Sequence, residues 1–315
     1  MIKLNYFTKA KPYNSLNEYY KHKFNAKISK IALNGNFTCP NRDGKKGFGG
    51  CTFCSSLGSG DLAGDKSKAL KEQFEDISKI MLKKWPNSSF IPYLQANSNT
   101  YKDVDSLKKI YDECLTLSDK IVGLDIATRA DCITEDIAKL LGEYNKKIPV
   151  TVELGLQTSN EKTGIKINRC MTNDEFIEAV NLLRNYNIEI VVHIINGLPN
   201  ETLDDMLNTI DFINKLDVQG IKFHSLLILN NTKLYEEYKN EHFKILTLEE
   251  YVKITSLQIA NLKDSIIIHR LAADGVLDDL IEPKWTIRKM VVMNEIDKYL
   301  RKNNMYQGMN YKGAN

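Results

Sequence analysis

Short apolar runs alternate with longer amphipathic stretches from residue 28 onward. The short runs are rich in β-branched and aromatic residues and predict six strands, at 28–33, 90–95, 121–127, 150–157, 188–195 and 221–229. Apolar residues at helical spacing predict helices between them, including 66–85, 105–117, 135–144, 173–187 and 202–216. Such alternation is typical of repeated βα units around a parallel sheet, so the pattern predicts an α/β fold.

Helix-start signals support several of these elements. Thr134 precedes two acidic residues, and Thr172 is followed three positions later by Glu175, as in a capping box. After residue 246 the pattern becomes mainly helical, and no long linker or repeat demands a second independent domain. We therefore expect an N-terminal arm at 1–27, a core domain at 28–245 and a mainly helical C-terminal extension at 246–315.

The composition is that of an ordinary globular protein and excludes disorder and fibres. The chain has 315 residues, 43% of them hydrophobic and 26% charged. Glu189, His193 and Asn196 interrupt the most apolar stretch, 188–198, so we expect no membrane span. No apolar signal-peptide region is present at the start, which predicts a cytoplasmic protein. In that compartment the six cysteines are metal ligands or buried thiols rather than disulfides.

Charge is distributed unevenly along the chain. Residues 1–30 carry seven lysines and one acid, residues 284–315 have a net charge of +5, and the remainder has −8. The N-terminal arm also contains six aromatic residues: Tyr6, Phe7, Tyr13, Tyr19, Tyr20 and Phe24. Lysines interleaved with aromatic rings suit phosphate contact and stacking on unpaired bases. The alternative is a solvated arm without a nucleic-acid partner.

Three cysteines follow the first predicted strand within one short loop. Cys39, Cys51 and Cys54 are separated by a segment containing four glycines, which allow tight folding. Three thiolates can hold three irons of a [4Fe–4S] cluster and leave the fourth iron open to a ligand. The alternative is a zinc site, which needs a fourth ligand such as His22. The three remaining cysteines, Cys114, Cys132 and Cys170, are scattered and are interpreted as buried or incidental.

Polar residues occupy alternating positions on otherwise apolar predicted strands. Four sets of residues show this spacing, and within each set the members lie two positions apart along the chain. The sets are Asp125, Ala127 and Arg129; Glu153, Gly155 and Gln157; His193, Ile195 and Gly197; and Lys222 with His224. Because successive strand side chains point to opposite faces, each set can face a common lumen, with the active face at the carboxyl ends of the strands. Taken singly, each polar residue is also compatible with a hydrogen-bonded core position.

The motifs taken together resemble radical S-adenosylmethionine (SAM) enzymes of the YhcC/YtqA type, which are related to the radical SAM part of the Elongator catalytic subunit. The resemblance rests on the cysteine loop, 39–54, and on the segments 93–101, 128–132, 152–158, 168–169 and 196–202. It implies that the core domain is a radical SAM domain with a partial (β/α)6 barrel. The cysteine spacing is wider than the common CxxxCxxC and is typical of this subgroup.

The resemblance also implies cofactors and their binding residues. A [4Fe–4S] cluster on Cys39, Cys51 and Cys54 would bind SAM and cleave it to a 5′-deoxyadenosyl radical. The implied SAM-binding residues are Gln95, Asn97, Glu153, Gln157, Arg169 and Gly197. Among them, Glu153 and Gln157 would face the ribose, Arg169 would meet the SAM carboxylate, and Gly197 would approach the adenine. Gln95 and Asn97 would lie at the amino group of SAM, with loop ordering as their alternative role.

The implied substrate is the wobble uridine in a tRNA anticodon loop. The resemblance points to conversion of 5-carboxymethylaminomethyl-(2-thio)uridine to 5-aminomethyl-(2-thio)uridine, with Lys222 or His224 orienting the substrate carboxylate. It also implies an electron donor such as flavodoxin or ferredoxin and a downstream tRNA methyltransferase. Two alternatives stay open: a radical SAM enzyme acting on a small metabolite, and a non-catalytic zinc or iron–sulfur protein that binds RNA.

Overall fold

Seven strands form one parallel sheet in the order β1-β2-β3-β4-β5-β6-β8. The structure is a computed structural model and describes residues 6–58, 60–274 and 278–313. Its strands are β1 (Ile28–Leu33), β2 (Ser89–Leu94), β3 (Leu124–Thr128), β4 (Val150–Gln157), β5 (Glu189–Asn196), β6 (Gly220–Ser225), β7 (Ile228–Leu229), β8 (Ile267–Arg270) and β9 (Leu280–Glu282). The short strands β7 and β9 pair with each other in antiparallel fashion.

Helices separate successive strands of the sheet and cover its outer face. They are α1 (Leu16–Phe24), α2 (Leu70–Lys84), α3 (Val104–Thr116), α4 (Glu135–Asn145), α5 (Glu161–Lys166), α6 (Asn173–Asn185), α7 (Leu203–Asn214), α8 (Lys233–Glu241), α9 (Leu248–Asn261) and α10 (Lys289–Lys302). Their apolar sides pack with buried strand residues into the main core. Thr134 and Thr172 cap α4 and α6 as the sequence predicts. Within the described residues, no helix combines the length and apolarity needed to cross a membrane.

The sheet is curled rather than open. Lys222 on β6 lies 3.4 Å from the hydroxyl of Tyr93 on β2, measured from Nζ to the oxygen. Neighbouring strands are about 4.8 Å apart, so β2 and β6 would be roughly 19 Å apart in a flat sheet. The contact therefore requires a half-barrel with its polar side chains inside. This confirms the predicted partial barrel, to which β8 adds a seventh parallel strand.

The N-terminal segment packs against the open side of the half-barrel. Ser15 forms a parallel bridge with Ile268 of β8, and α1 contacts both β1 and β8. The Tyr13 hydroxyl donates a 2.8 Å hydrogen bond to Asp297 of α10. Tyr20 is only 8% exposed, so its ring is unavailable for stacking on a base. From residue 6 onward, the predicted arm is thus part of the folded body.

Other differences from the predicted elements have local causes. Helix α2 begins at Leu70, because the Asp65 side chain accepts from the Ser67 backbone and holds a turn before it. The sixth predicted strand, 221–229, divides into β6 and β7. The predicted helical extension contains β8 and β9 as well as helices. Strands β8 and β9 are only four and three residues long and end in polar residues, so their sequences show no alternation of apolar and polar positions.

Candidate functional site

A cavity of about 270 Å³ lies inside the half-barrel and extends from the cysteine loop down to β6 and β8. Ten of the eleven predicted site residues line it: Cys39, Cys51, Cys54, Gln95, Asn97, Glu153, Gln157, Arg169, Lys222 and His224. The alternating strand pattern therefore identified the inner face correctly. Apolar side chains, including Phe53, Leu226 and Leu229, complete the wall and limit access of water.

The cysteine loop is pinned to the segment that follows α5. The Asn41 amide donates to the Asn168 carbonyl at 2.6 Å, and the Asn168 amide donates to the Gly50 carbonyl at 2.7 Å. A Cβ at Gly47 would lie 2.3 Å from Asn41 Oδ1, so that position requires glycine for the observed packing. The bonds hold three half-buried thiols at one end of the cavity.

The thiols fit the ligand set of an iron–sulfur cluster. A hydrogen bond from Cys54, with help from the nearby Arg129 guanidinium, lowers the pKa of Cys51 to about 7 and favours its thiolate. Thiolate is the form that binds iron. In the described part of the chain, no three His, Cys, Asp or Glu side chains are placed around a single metal ion. His22, the example of a fourth zinc ligand, is exposed on α1 and packs against Tyr6.

A buried ionic network occupies the inner part of the cavity. Glu153 on β4 accepts from Lys30 Nζ at 2.9 Å through Oε1, and His193 Nε2 lies 2.8 Å from its Oε2. Lys222 also pairs with Glu153 Oε2, and Lys30 pairs with Asp125. Four strands, β1, β3, β4 and β6, are therefore tied together through charged side chains, with β5 contributing the histidine.

Burial and charge set the protonation of this network. Burial alone would raise the pKa of Glu153, but Lys222 and Lys30 outweigh it and hold that pKa well below its usual range. Burial lowers the pKa of Lys222 to about 7 against the attraction of Glu153. Burial also lowers the pKa of His193 to about 4, so its imidazole is neutral at pH 7. Glu153 therefore stays ionised at pH 7.

The two residues predicted to face a ribose have different surroundings. Both oxygens of Glu153 are bound by cationic or imidazole groups, which contradicts a free ribose contact. Gln157 ends β4 in a left-handed conformation, with φ of 68°. A Cβ at Gly155 would meet Gln157 Nε2 at 2.6 Å, so the glutamine amide lies over Gly155 in the cavity. Gln157 lines the cavity, whereas Glu153 belongs to the ionic network.

Arg169 does not have the predicted role. Its buried guanidinium uses all five donors within the protein, on the carbonyls of Leu156, Thr158 and Met171 and the side chains of Glu161 and Asn173. These bonds join the end of β4 to α5 and α6. No donor remains for the SAM carboxylate, so the structure contradicts that assignment and gives Arg169 a structural role.

Asn97 and Gly197 also differ from their predicted SAM contacts. The Asn97 side chain donates to the Phe37 carbonyl at 3.0 Å, and its backbone N–H donates to the Gly58 carbonyl at 2.8 Å. These contacts favour the alternative loop-ordering role. Gly197 is not a lining residue, and a Cβ there would lie 3.0 Å from Leu246 Cδ1. Leu246 occupies the side that a Cβ would take, so the packing of Leu246 is itself a reason for glycine at this position.

Lys30 and Arg270 are among the charged residues at the site that were not identified from the sequence. Lys30 lies in the middle of β1 and pairs with Glu153; a lone lysine within an apolar parallel strand is a detectable signal. Arg270 ends β8, lines the cavity and is placed in register beside Lys222. It lies in a region that the pattern predicts as helical, so no strand parity was available to orient it.

Comparison with protein families supports the same organisation. The model of the Radical SAM superfamily matches residues 39–213, and that of the Radical_SAM C-terminal domain matches residues 218–302. YtqA of Bacillus subtilis (strain 168) is 41% identical over 303 residues, which cover 96% of this chain and 94% of YtqA. YhcC of Escherichia coli (strain K12) is 31% identical over 279 residues, with 88% and 89% coverage.

A more distant sequence relative is the tRNA-2-methylthio-N(6)-dimethylallyladenosine synthase of Fusobacterium nucleatum. It is 27% identical over 190 residues, which cover 58% of this chain and 42% of the synthase. Among solved structures, archaeal Elp3 from Methanocaldococcus infernus has a TM-score of 0.67 and 16% identity. This similarity covers 89% of this chain and 64% of the Elp3 chain, and it shows a shared fold.

The family models cover the cysteine loop and every strand of the parallel sheet except β1, and the radical SAM cofactors are a [4Fe–4S] cluster and SAM. The chain therefore belongs to the radical SAM superfamily and is a radical SAM protein of the YhcC/YtqA type.

Proposed function

We propose that this protein is a tRNA-modifying radical SAM enzyme that converts 5-carboxymethylaminomethyl-(2-thio)uridine at the wobble position to 5-aminomethyl-(2-thio)uridine. The observation that carries the proposal is the cavity, which joins three cysteines at one end to cationic side chains at the other. An anionic substituent can therefore reach inward while its base stays near the cysteine loop. The similarity to a synthase named for its action on tRNA also supports this substrate class.

The cysteine loop would hold the cluster. Cys39, Cys51 and Cys54 supply three thiolate ligands, and the cluster and SAM, when bound, supply a 5′-deoxyadenosyl radical and an oxidised cluster. Phe53 and Leu226 exclude water from the adjoining wall. Gln95 and Gln157 are the lining amides nearest in sequence to the carboxyl ends of β2 and β4. We assign SAM contacts to these two amides.

The substrate side chain supports the proposed chemistry. Its CH₂ group lies between an amine nitrogen and a carboxylate, both of which stabilise a radical at that carbon. Loss of one hydrogen atom and one electron from the CH₂, and of a proton from nitrogen, gives a C=N bond. Water adds to this bond and releases the amine together with a two-carbon aldehyde acid. The step needs an acceptor for the hydrogen atom and one for the electron, which a 5′-deoxyadenosyl radical and an oxidised cluster held by Cys39, Cys51 and Cys54 would supply.

The position of the two basic ends of the chain supports tRNA as the substrate. Arg301 of α10 donates to the Ala10 carbonyl at 2.5 Å, and Gln307 donates to the Pro12 carbonyl at 2.9 Å. These bonds bring the two basic ends of the chain together on one side, where Lys9 is exposed. A basic surface of this kind suits the phosphates of an RNA stem, while an unpaired anticodon base enters the cavity.

Nucleoside mass spectrometry tests the proposal. Cells that lack this protein should accumulate 5-carboxymethylaminomethyluridine in tRNA where the aminomethyl or methylaminomethyl form is normally found. Wild-type protein should restore the normal profile, and Cys51→Ala should not. An unchanged nucleoside profile in the deletion strain would refute the reaction. The remaining partners are part of the proposal: a flavodoxin or ferredoxin as reductant and a downstream methyltransferase that uses the free amine.

A further inference from the structure

Arg270 is a cation of the cavity that lacks a full set of partners. It is the last residue of β8 and stands beside Lys222 in the strand register. Its side chain is 28% exposed and lines the cavity. Among the described residues its one ion pair is with Asp274, at 3.5 Å from Nη2 to Oδ2. Arg169, in contrast, has all five donors bound.

Arg270 shares its ion-pair partner with another cation. At the inner end of the cavity, Lys30 pairs with Asp125 and Lys222 pairs with Glu153. Asp274 is closer to another cation, Lys289, at 2.6 Å. Arg270 therefore shares its carboxylate partner, Asp274, with a closer cation. A partly buried cation whose counter-ion is shared in this way favours binding of an anion.

A second polar group beside Arg270 also lacks a partner. The ring of His224 stacks on that of His193 with a centroid separation of 5.1 Å, and its Nε2 is buried without a hydrogen bond within the described residues. His224 and Arg270 line the same cavity. A carboxylate has two oxygens and can accept from both groups. Lys222, the other candidate, is already bound to Glu153.

We infer that Arg270, assisted by His224, forms the binding site for the carboxylate of the substrate side chain. This inference rests on the proposed function and assigns its substrate specificity to the last strand of the half-barrel. Asp274 is then the internal partner that Arg270 exchanges for the substrate carboxylate. The site distinguishes substrate from product, because the product has lost the carboxylate and offers Arg270 no anion.

Equilibrium binding to two RNAs tests the inference. Anticodon stem-loops carrying either 5-carboxymethylaminomethyluridine or 5-aminomethyluridine are titrated into cluster-loaded protein without reductant, so that no turnover occurs. Because a charge-assisted hydrogen-bonded contact is lost with the product RNA, wild-type protein should bind the carboxylate RNA about 10- to 150-fold more tightly. In Arg270→Gln this ratio should fall close to one while affinity for the aminomethyl RNA is retained.

A conservative variant and a control variant complete the binding experiment. Arg270→Lys keeps the charge without the bidentate fork and should show an intermediate ratio. The control Arg288→Gln removes an exposed positive charge from the C-terminal segment that also contains Arg270. It should leave the ratio of the two RNA affinities unchanged. A wild-type preference that survives in Arg270→Gln would overturn this inference alone. Wild-type binding to neither RNA would contradict the proposed function itself.

Discussion

Replacement of Glu153 by glutamine should reveal the ionic network as a major determinant of stability. The variant keeps the size of the side chain but removes the anion that binds Lys30 at 2.9 Å and also pairs with Lys222. Glu153 is 1% exposed, so water cannot replace the lost interaction. Lys222 has a pKa of about 7 even beside Glu153, so without the carboxylate it must either stay as an unpaired buried ammonium or give up its proton at pH 7. Either state costs folding free energy, so the substitution does more than remove one contact.

The expected effect follows from the cost of breaking a buried ion pair. Removal of one partner typically costs about 3–5 kcal/mol in the free energy of unfolding. With an unfolding entropy of roughly 2 cal/mol/K per residue, this corresponds to a decrease in Tm of about 5–8 °C for a chain of this length. Circular dichroism during heating, at equal cluster loading and pH 7, measures the change in Tm.

A compensated variant separates charge balance from other effects. In Glu153→Gln/Lys222→Met the ammonium is removed together with the carboxylate, so most of the lost Tm should return. Glu241→Gln is the matched control, because Glu241 pairs with Lys166 on the surface with its side chain 57% exposed. Such pairs contribute about 0–1 kcal/mol. A Glu153→Gln protein that melts within 1 °C of wild type, or a double variant no more stable than the single, would refute this reasoning.

Three further predictions concern the cofactor, Arg169 and the RNA surface. Cys51→Ala should abolish 5′-deoxyadenosine formation after anaerobic reconstitution; full activity, or stoichiometric zinc without iron, would contradict the cluster assignment. Arg169→Gln should lower the Tm while the protein that remains folded binds SAM with wild-type affinity, and a tenfold loss of SAM affinity at unchanged Tm would restore the ligand role. Replacing Lys9, Lys11 and Lys21 by glutamine should weaken tRNA binding and reduce its salt slope by about 0.7 per lost contact. Unchanged affinity and slope would place the RNA elsewhere.

The sequence predicted the inward face of the barrel because strand geometry relates sequence parity to direction. Glu153, His193 and Lys222 occupy equivalent parities on their strands and meet in one network. Their partner Lys30 was harder to predict, since it reaches Glu153 on β4 from β1 only through the curvature of the sheet. Local patterns give the direction of a side chain, whereas long-range contacts decide what it binds.

Arg169 shows why a motif does not define a role. Its five acceptors come from the end of β4, from α5 and from the segment leading to α6, and the sequence gives no indication that they converge. Arg270, in contrast, belongs to no motif that the sequence analysis recognised. Its strand is only four residues long and lies in a segment with a mainly helical pattern, so only the structure shows that it lies beside Lys222.

The N-terminal segment illustrates a similar limit. Lysines and aromatic rings predicted an arm that contacts RNA, but Tyr13 and Tyr20 are buried against the body. The aromatic spacing that suits base stacking also suits packing against a sheet. Deletion of residues 1–25 would therefore remove the Ser15 bridge to β8 and disturb the barrel. Substitution of surface lysines tests RNA binding without that structural loss.

The most direct test of the proposed function is a single-enzyme reaction with defined tRNA. Cluster-loaded protein, SAM and a low-potential reductant are incubated with tRNA carrying 5-carboxymethylaminomethyluridine, and the nucleosides and 5′-deoxyadenosine are quantified together by mass spectrometry. We predict that 5-aminomethyluridine and 5′-deoxyadenosine form in a constant ratio, and that neither forms with Cys51→Ala. Formation of 5′-deoxyadenosine with the tRNA nucleosides unchanged would contradict the wobble-uridine reaction.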